Sequence, residues 1–93
     1  GFGTAGARAI AGLDALVSLD ISGNAIGDEG SAALAGLVRL RSLRLGMNDI
    51  TDAGLPPLAS LTLLRALELG ANEVTAAGVK RLVAALPRCV IQG

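Results

Sequence analysis

Few side chains in this sequence could support catalysis or bind a metal ion. The chain of 93 residues contains no histidine and a single cysteine, Cys89. A histidine-activated nucleophile and a histidine-ligated metal ion are therefore excluded within the chain, and an intrachain disulfide cannot form. Asp49 and Asp52 are close in sequence, but loop carboxylates of this kind are more often caps than a catalytic pair.

The phosphate-binding loop patterns are also missing from the sequence. Its glycines form neither G-x-x-x-x-G-K-[ST] nor G-x-G-x-x-G, the two patterns whose backbone amides hold phosphates. We therefore predict that the chain is not an enzyme and needs no cofactor and no metal ion. What its charged residues can do therefore depends on the strands and helices that position them.

Three asparagines, Asn24, Asn48 and Asn72, lie at intervals of 24 residues and mark a repeat that covers most of the chain. The unit reads L-x-x-L-x-[IL]-x-x-N-x-[IV]-x-x-x-G-x-x-x-L. A period of about 20–29 residues with the core L-x-x-L-x-L-x-x-N is the signature of a leucine-rich repeat. We predict an α/β solenoid, a right-handed βα superhelix with a parallel sheet on its concave face and helices on its convex face.

The repeat also predicts how the chain is divided. We expect one domain, part of a longer solenoid, composed of a half repeat, three repeats and a partial strand: residues 1–15, 16–39, 40–63, 64–87 and 88–93. The half repeat should contain a helix over residues 5–13. The first strand is predicted from Ser18 to Ser22, because Leu19 and Ile21 alternate with polar residues. Uncapped ends of such a segment predict that it can self-associate.

The helical half of each repeat carries local signals. Asp28 and Glu29 are predicted at a helix start, where carboxylates favour the positive end of the helix dipole. Gly30 is predicted to let helix and strand backbones approach closely. Pro56 and Pro57 interrupt the second helix, which should begin at Pro56 or be a short 3₁₀ segment.

The end of the chain predicts a fourth strand. Leu86, Cys89 and Ile91 fit the pattern L-x-x-C-x-I, arriving two residues early. Cys89 would then occupy a leucine position, so we interpret it as a buried core thiol rather than a reactive one. The three asparagines are interpreted as a structural ladder, because their amides can satisfy backbone groups in the turn after each strand.

Outward-facing strand residues form three columns on the predicted concave face and are the candidate protein-binding residues. The columns are Ser18, Ser42 and Ala66; Asp20, Arg44, Glu68 and Val90; and Ser22, Gly46, Gly70 and Gln92. The middle column alternates acid and base, which fits a cross-strand ion-pair ladder or a polar strip that contacts a partner. Arg44 is the best single anchor, with Met47 and Glu73 on the adjoining loop as weaker ones.

The two rims of the solenoid differ in charge. The acids Asp28, Glu29, Asp49, Asp52 and Glu73 follow the asparagines, whereas Arg39, Arg41, Arg65 and Arg88 follow the helices. This separation fits helix-dipole matching or an electrostatic docking edge. No aromatic residues are interleaved with the arginines, so we expect no nucleic-acid binding.

Three segments carry a resemblance to a known family: ISGNAIGDEGSAALAGL, LRLGMNDITDAGLPPLASL and LELGANEVTAAGVKRLVAAL. They resemble bacterial leucine-rich repeats of the ribonuclease-inhibitor-like class. Their length and the run N-x-I-x-x-x-G-x-x-x-L-A are similar to the GALA-type repeats of effectors that plant-pathogenic bacteria inject into host cells. Such effectors often carry an F-box upstream of the repeats, which recruits a host ubiquitin ligase. No F-box is present in this sequence, and the Pro56–Pro57 pair is a further departure.

The resemblance implies a protein-interaction module of a bacterial type III effector that recognises a host protein through its concave face. The alternative is a structural spacer within a larger effector or ubiquitin-ligase adaptor, which the absence of Trp and Tyr favours. A net charge of zero predicts no membrane or nucleic-acid partner. No apolar run reaches the roughly 18 residues of a membrane helix, so we expect a soluble protein, secreted by the bacterium into the host cell if the resemblance extends to function.

Overall fold

The parallel sheet is the element around which the chain is built. The structure is a computed structural model, and it describes residues 3, 6, 13 and 15–93. The helix predicted over residues 5–13 falls almost wholly outside these residues. Four strands pair in the order β1-β2-β3-β4, all parallel. They are β1 (Ser18–Asp20), β2 (Ser42–Arg44), β3 (Ala66–Glu68) and β4 (Val90–Gln92).

The strands are shorter than the sequence predicted. The first strand ends at Asp20, whereas the alternation of apolar and polar residues had extended it to Ser22. Beyond Asp20 the backbone still bonds to the next repeat, and the Ile21 N–H donates to the Arg44 carbonyl at 3.1 Å. The contact continues at Gly23, whose N–H donates to the Gly46 carbonyl at 2.8 Å. Between these two bonds, the Ser22 N–H faces away from the next repeat and donates to the Asp20 carboxylate.

The fourth strand corrects the predicted register. Val90 pairs with Ala66, Ile91 with Leu67 and Gln92 with Glu68, so the 24-residue interval continues and no strand arrives early. Leu86 belongs to the end of the preceding helix, because its N–H donates to the Leu82 carbonyl at 2.9 Å. The prediction from the pattern L-x-x-C-x-I was therefore wrong, because it assigned a residue at the helix end to the strand.

Helical segments connect the strands on the opposite face of the sheet. Helix α1 spans Gly27–Leu34 with Asp28 and Glu29 in its first turn, as predicted. The second repeat has only 3₁₀ segments, Asp52–Gly54 and Pro56–Ser60, the latter beginning at Pro56 as predicted. Proline cannot donate the backbone hydrogen bond that an α-helix needs beyond its first turn. Helix α2 spans Ala76–Ala85 and ends two residues before Pro87.

Aliphatic side chains fill the space between the sheet and the helical segments. Each repeat contributes leucine or isoleucine from its strand and leucine from its helical segment, and its turn adds Ile26, Ile50 or the partly buried Val74. The buried apolar residues are Ile21, Ile26, Leu34, Leu37, Leu40, Leu43, Leu45, Ile50, Leu55, Leu58, Leu61, Leu64, Leu67, Leu69, Leu82 and Leu86. No side chain larger than leucine is needed in the core, because the apolar side chains of each repeat pack against those of the adjacent repeats.

The repeated glycine has a different purpose from the one predicted. A Cβ atom on Gly30 would lie 2.5 Å from the Cβ of Ile26, a residue of the same repeat. A Cβ on Gly54 would lie 2.5 Å from Oδ1 of Asp28 and 2.9 Å from Cγ2 of Ile50. The glycine therefore makes room for side chains of the turn and of the preceding repeat, rather than for the strand backbone.

Candidate functional site

The register of the strands builds the exposed face of the sheet, which we call the concave face. Its residues are Ser18, Asp20, Ser42, Arg44, Ala66, Glu68, Val90 and Gln92. Ser18, Ser42 and Ala66 form one column as predicted, but Val90 continues this column and Gln92 continues the column of Asp20, Arg44 and Glu68. Ser22 lies beyond the strand end, in line with Gly46 and Gly70.

Arg44 contacts an acid on only one side. Its Nη1 lies 3.9 Å from Oδ2 of Asp20, and the two side chains are 67% and 58% exposed. Within the described part of the chain, no ion pair joins Arg44 to Glu68. An exposed pair at this distance contributes little to stability. The acid–base–acid column is thus not a continuous ion-pair ladder, and the guanidinium of Arg44 is left open to solvent.

Glu68 is turned toward the backbone instead of toward Arg44. Its Oε1 accepts a hydrogen bond from the Gly46 N–H at 3.1 Å, and its Oε2 accepts one from the Gly70 N–H at 2.7 Å. Cβ atoms on these glycines would lie 2.7 Å and 2.6 Å from the same oxygens. Both glycines therefore leave space for the carboxylate. The sequence signal is a glutamate with glycine two residues later in its own repeat and in the preceding one.

Asp20 has a local hydrogen-bond partner of its own. Its Oδ1 accepts from the Ser22 N–H at 3.1 Å and from the Ser22 hydroxyl at 2.8 Å. The pKa of Asp20 is lowered, first by the backbone N–H of Ser22, then by its hydroxyl, with a smaller contribution from Arg44. Asp20 therefore stays ionised at neutral pH, and Ser22 orients it across the strand end.

The two weaker anchors, Met47 and Glu73, lie on the loops beside the concave face. Met47 is 66% exposed and adopts a left-handed backbone conformation with φ of 57°. Glu73 is also exposed, and its backbone N–H donates to the Ile50 carbonyl at 2.8 Å. Left-handed residues other than glycine cost about 1–2 kcal/mol, and the turn keeps Met47 directed outward.

The asparagines form a hydrogen-bonded ladder along one edge of the sheet. Oδ1 of Asn48 accepts from the backbone N–H of Asn24 at 2.9 Å, and Oδ1 of Asn72 accepts from that of Asn48 at 2.9 Å. The Asn48 amide group donates to the carbonyls of Ile21 and Leu45, both at 3.0 Å. Asn48 has no exposed surface, so its amide joins two repeats in place of water.

A second ladder of aspartate and threonine runs beside the asparagines and was missed by the sequence reasoning. Asp28 accepts from the backbone N–H of Thr51 at 2.7 Å and from its hydroxyl at 2.6 Å. Asp52 does the same for Thr75 at 2.8 Å and 2.5 Å. Thr75 in turn caps helix α2 by accepting from the Gly78 N–H. The available signal was an aspartate followed by threonine 23 residues later, twice.

Near the opposite edge, Cys89 is half-buried. Its side chain packs against the leucine core. Burial raises the pKa of the Cys89 thiol, and the positive charge of Arg65 opposes this shift to a smaller extent. A thiol with a raised pKa is a poor nucleophile at neutral pH.

Comparison with known families agrees with this geometry. A family model described as Leucine Rich repeat matches residues 16–35, 40–59 and 60–83, together more than half of the chain. The chain belongs to the leucine-rich repeat family. Repeats of this family are generally protein-interaction modules and are typically non-catalytic. No curated protein matches the chain.

Within the described residues, two other kinds of site are absent. No helix among residues 15–93 is long and apolar enough to cross a membrane. The same part of the chain contains no group of three or more histidine, cysteine, aspartate or glutamate residues placed to hold a metal ion.

Proposed function

We propose that this leucine-rich repeat segment is a protein-interaction module that contacts a protein partner through its concave face, with Arg44 as the anchor. The observation that carries this proposal is the state of the guanidinium group. The Arg44 side chain is 67% exposed, and its one ion pair within the described residues is a 3.9 Å contact to an aspartate that is 58% exposed. A carboxylate of the partner would form a bidentate pair with the Arg44 guanidinium, which is stronger than the existing contact.

The residues around Arg44 leave room for the surface of a protein partner. Ser42 and Ala66 are small, and Val90 is 63% exposed. Residues of β2, β3 and β4 line a shallow hollow of about 150 Å³ that includes Arg44 and Val90. Because Glu68 is held by backbone N–H groups, it is not free to compete for the guanidinium. Arginine at the centre of such a face is a frequent binding hot spot.

The resemblance to GALA-type repeats supports a finer version of this proposal. In that version the parent protein is a bacterial type III effector secreted into a host cell, and the partner is a host protein. The division into a half repeat, three repeats and a partial strand within a longer solenoid belongs to the same proposal. The alternative, a structural spacer between more distant repeats, is favoured by the absence of Trp and Tyr, which leaves few strong anchors.

Affinity capture from plant-cell lysate tests the proposal with three versions of the chain: parent, Arg44→Glu and Lys80→Glu. Lys80 is an exposed residue of helix α2, so its reversal makes the same charge change away from the concave face. We expect proteins that are captured by the parent and by Lys80→Glu but lost with Arg44→Glu. Equal capture by all three would reject the concave face. Capture by none, with folding verified by circular dichroism, would favour the spacer.

A further inference from the structure

Four arginines line the edge at which the strands begin, and we call them the arginine rim: Arg39, Arg41, Arg65 and Arg88. They lie in the turns that lead into β2, β3 and β4. These turns, residues 35–41, 61–65 and 86–89, contain no acidic residue. Since Arg41 and Arg65 occupy equivalent positions of adjacent repeats, their backbones are about 4.8 Å apart.

Neither helix dipoles nor ion pairs account for this concentration of positive charge. Helices α1 and α2 have no basic residue in their last turns, so the arginines are not placed to match the helix dipoles as one prediction had it. In the described part of the chain the ion pair joins Asp20 to Arg44, and the rim arginines have no acidic partner. The docking-edge interpretation of these arginines therefore stays a prediction to be tested.

Arg65 is held in a defined orientation by the main chain. Its Nη1 donates to the Leu64 carbonyl at 3.0 Å and to the Thr62 carbonyl at 3.3 Å. Among residues 15–93, no acceptor is found for its Nε and Nη2. These two nitrogens form the edge of a guanidinium that pairs with both oxygens of a carboxylate. The side chain is therefore pre-oriented with its binding edge unused.

A groove lies beside this guanidinium, between the turns that precede β3 and β4. Its volume is about 340 Å³, and its lining includes Leu63, Arg65, Ala85, Pro87 and Arg88. Leu63 is 37% exposed, so part of its aliphatic side chain is open to solvent. The groove thus combines an apolar floor with two guanidinium groups.

We propose that this groove binds a peptide segment of a protein partner in which an acidic side chain stands next to an apolar one. The carboxylate pairs with Arg65 and is attracted by Arg88, while the apolar side chain covers Leu63 and Pro87. Phosphate groups would also suit the arginines, but the lining has no aromatic residue on which a base could stack, which disfavours nucleic acid. This surface is separate from the concave face, so either proposal can fail alone.

The first test is a titration of the whole ¹⁵N-labelled chain followed by NMR. The probe is a blocked peptide of alternating glutamate and leucine, and the matched probe has glutamine in place of glutamate. We expect the glutamate peptide to shift signals of Leu63, Arg65 and Arg88, and the glutamine peptide to bind about tenfold more weakly. Absence of binding, or equal binding of the two peptides, would overturn the proposal. So would an oligouridine that bound as tightly and shifted the same signals.

Three variants locate the site on the molecule. Arg88→Gln changes an exposed side chain, and we expect about fivefold weaker binding of the glutamate peptide. Arg65→Lys keeps the charge but loses the paired nitrogens, so it should weaken binding by a similar factor. Arg44→Gln, on the concave face, should leave the affinity unchanged. An Arg44→Gln effect as large as that of Arg88→Gln would move binding to the concave face and refute the rim site.

Discussion

The two edges of the sheet use their polar residues in opposite ways. Where the strands end, the asparagine and aspartate side chains are bound to backbone groups of an adjacent repeat, over sequence separations of 22 to 27 residues. Where the strands begin, the guanidinium groups have no acidic partner within the described residues. The first edge holds the repeats together, and we propose the second for recognition. Polar residues that look alike in the sequence thus differ in whether their hydrogen bonds reach an adjacent repeat.

Removing the Asn48 side chain should have the largest effect on this contrast. Asn48→Ala leaves backbone groups of Asn24, Ile21 and Leu45 without their partner, in a site that has no exposed surface. We expect the free energy of unfolding to fall by about 3 kcal/mol. Urea denaturation followed by circular dichroism measures it.

The matched control lies at the other edge. Arg41→Ala removes an exposed side chain, and the free energy of unfolding should change by less than about 0.5 kcal/mol. If the two variants were equally destabilised, the division into a structural and a functional edge would not hold.

A pair of glycine substitutions compares packing at the two edges. Gly54→Ala would place a methyl group 2.5 Å from Oδ1 of Asp28, so we expect a loss of about 2 kcal/mol from crowding. Gly36, in the turn toward the arginine rim, has no atom within 4 Å of an added Cβ. Gly36→Ala should be neutral or stabilising by about 0.5 kcal/mol. Thermal unfolding of both variants decides the matter, and a Gly54→Ala protein as stable as the parent would contradict the tight aspartate site.

The smallest expected effect is on how stability depends on pH, and it involves Asp52. The pKa of Asp52 is lowered from its ordinary 3.8, first by the Thr75 hydroxyl, then by the Thr75 N–H, and to a smaller extent by Arg81. A folded-state pKa below the unfolded value contributes stability that is complete above the unfolded pKa and lost as pH falls through the folded pKa. We expect Asp52→Asn to be less stable than the parent at pH 7, with the difference shrinking as the pH falls below the ordinary carboxyl pKa.

The control for this measurement is Asp49→Asn. Asp49 is exposed and has a left-handed φ of 58°, which asparagine also tolerates. Its urea midpoint should stay close to that of the parent throughout the titration. A difference for Asp52→Asn that stayed constant with pH would show that the Thr75 contacts do not depend on the charge.

Much of the fold could be predicted from the 24-residue interval, because one spacing fixes strand order, register and core together. The 3₁₀ segment could be predicted from the Pro56–Pro57 pair, because proline restricts its own backbone wherever it occurs. The fourth strand was placed wrongly because the chain has no fourth asparagine to set the phase. Apolar residues alone could not distinguish the end of a helix, Leu86, from the start of a strand.

The polar contacts of the site could not be predicted from the sequence, for a different reason. An acid beside a base in a column suggests a pair, but Glu68 gains two backbone N–H donors that only the folded turn presents. Hydrogen bonds to a carboxylate from fixed N–H groups compete well with a flexible, solvated guanidinium. The position of Arg44 could be read from the repeat, whereas its open state depends on what Glu68 does.

The ladders also restrict how such a chain can evolve. Hydrogen bonds to an adjacent repeat are made by the side chains of Asn48, Asn72, Asp28 and Asp52. Inserting one residue in a turn would therefore displace two sets of hydrogen bonds at once. Gain or loss of a whole repeat would keep every contact in phase. Lineages of this protein should therefore differ by complete repeats, and shorter insertions should be confined to the turns of the arginine rim, which neither ladder crosses.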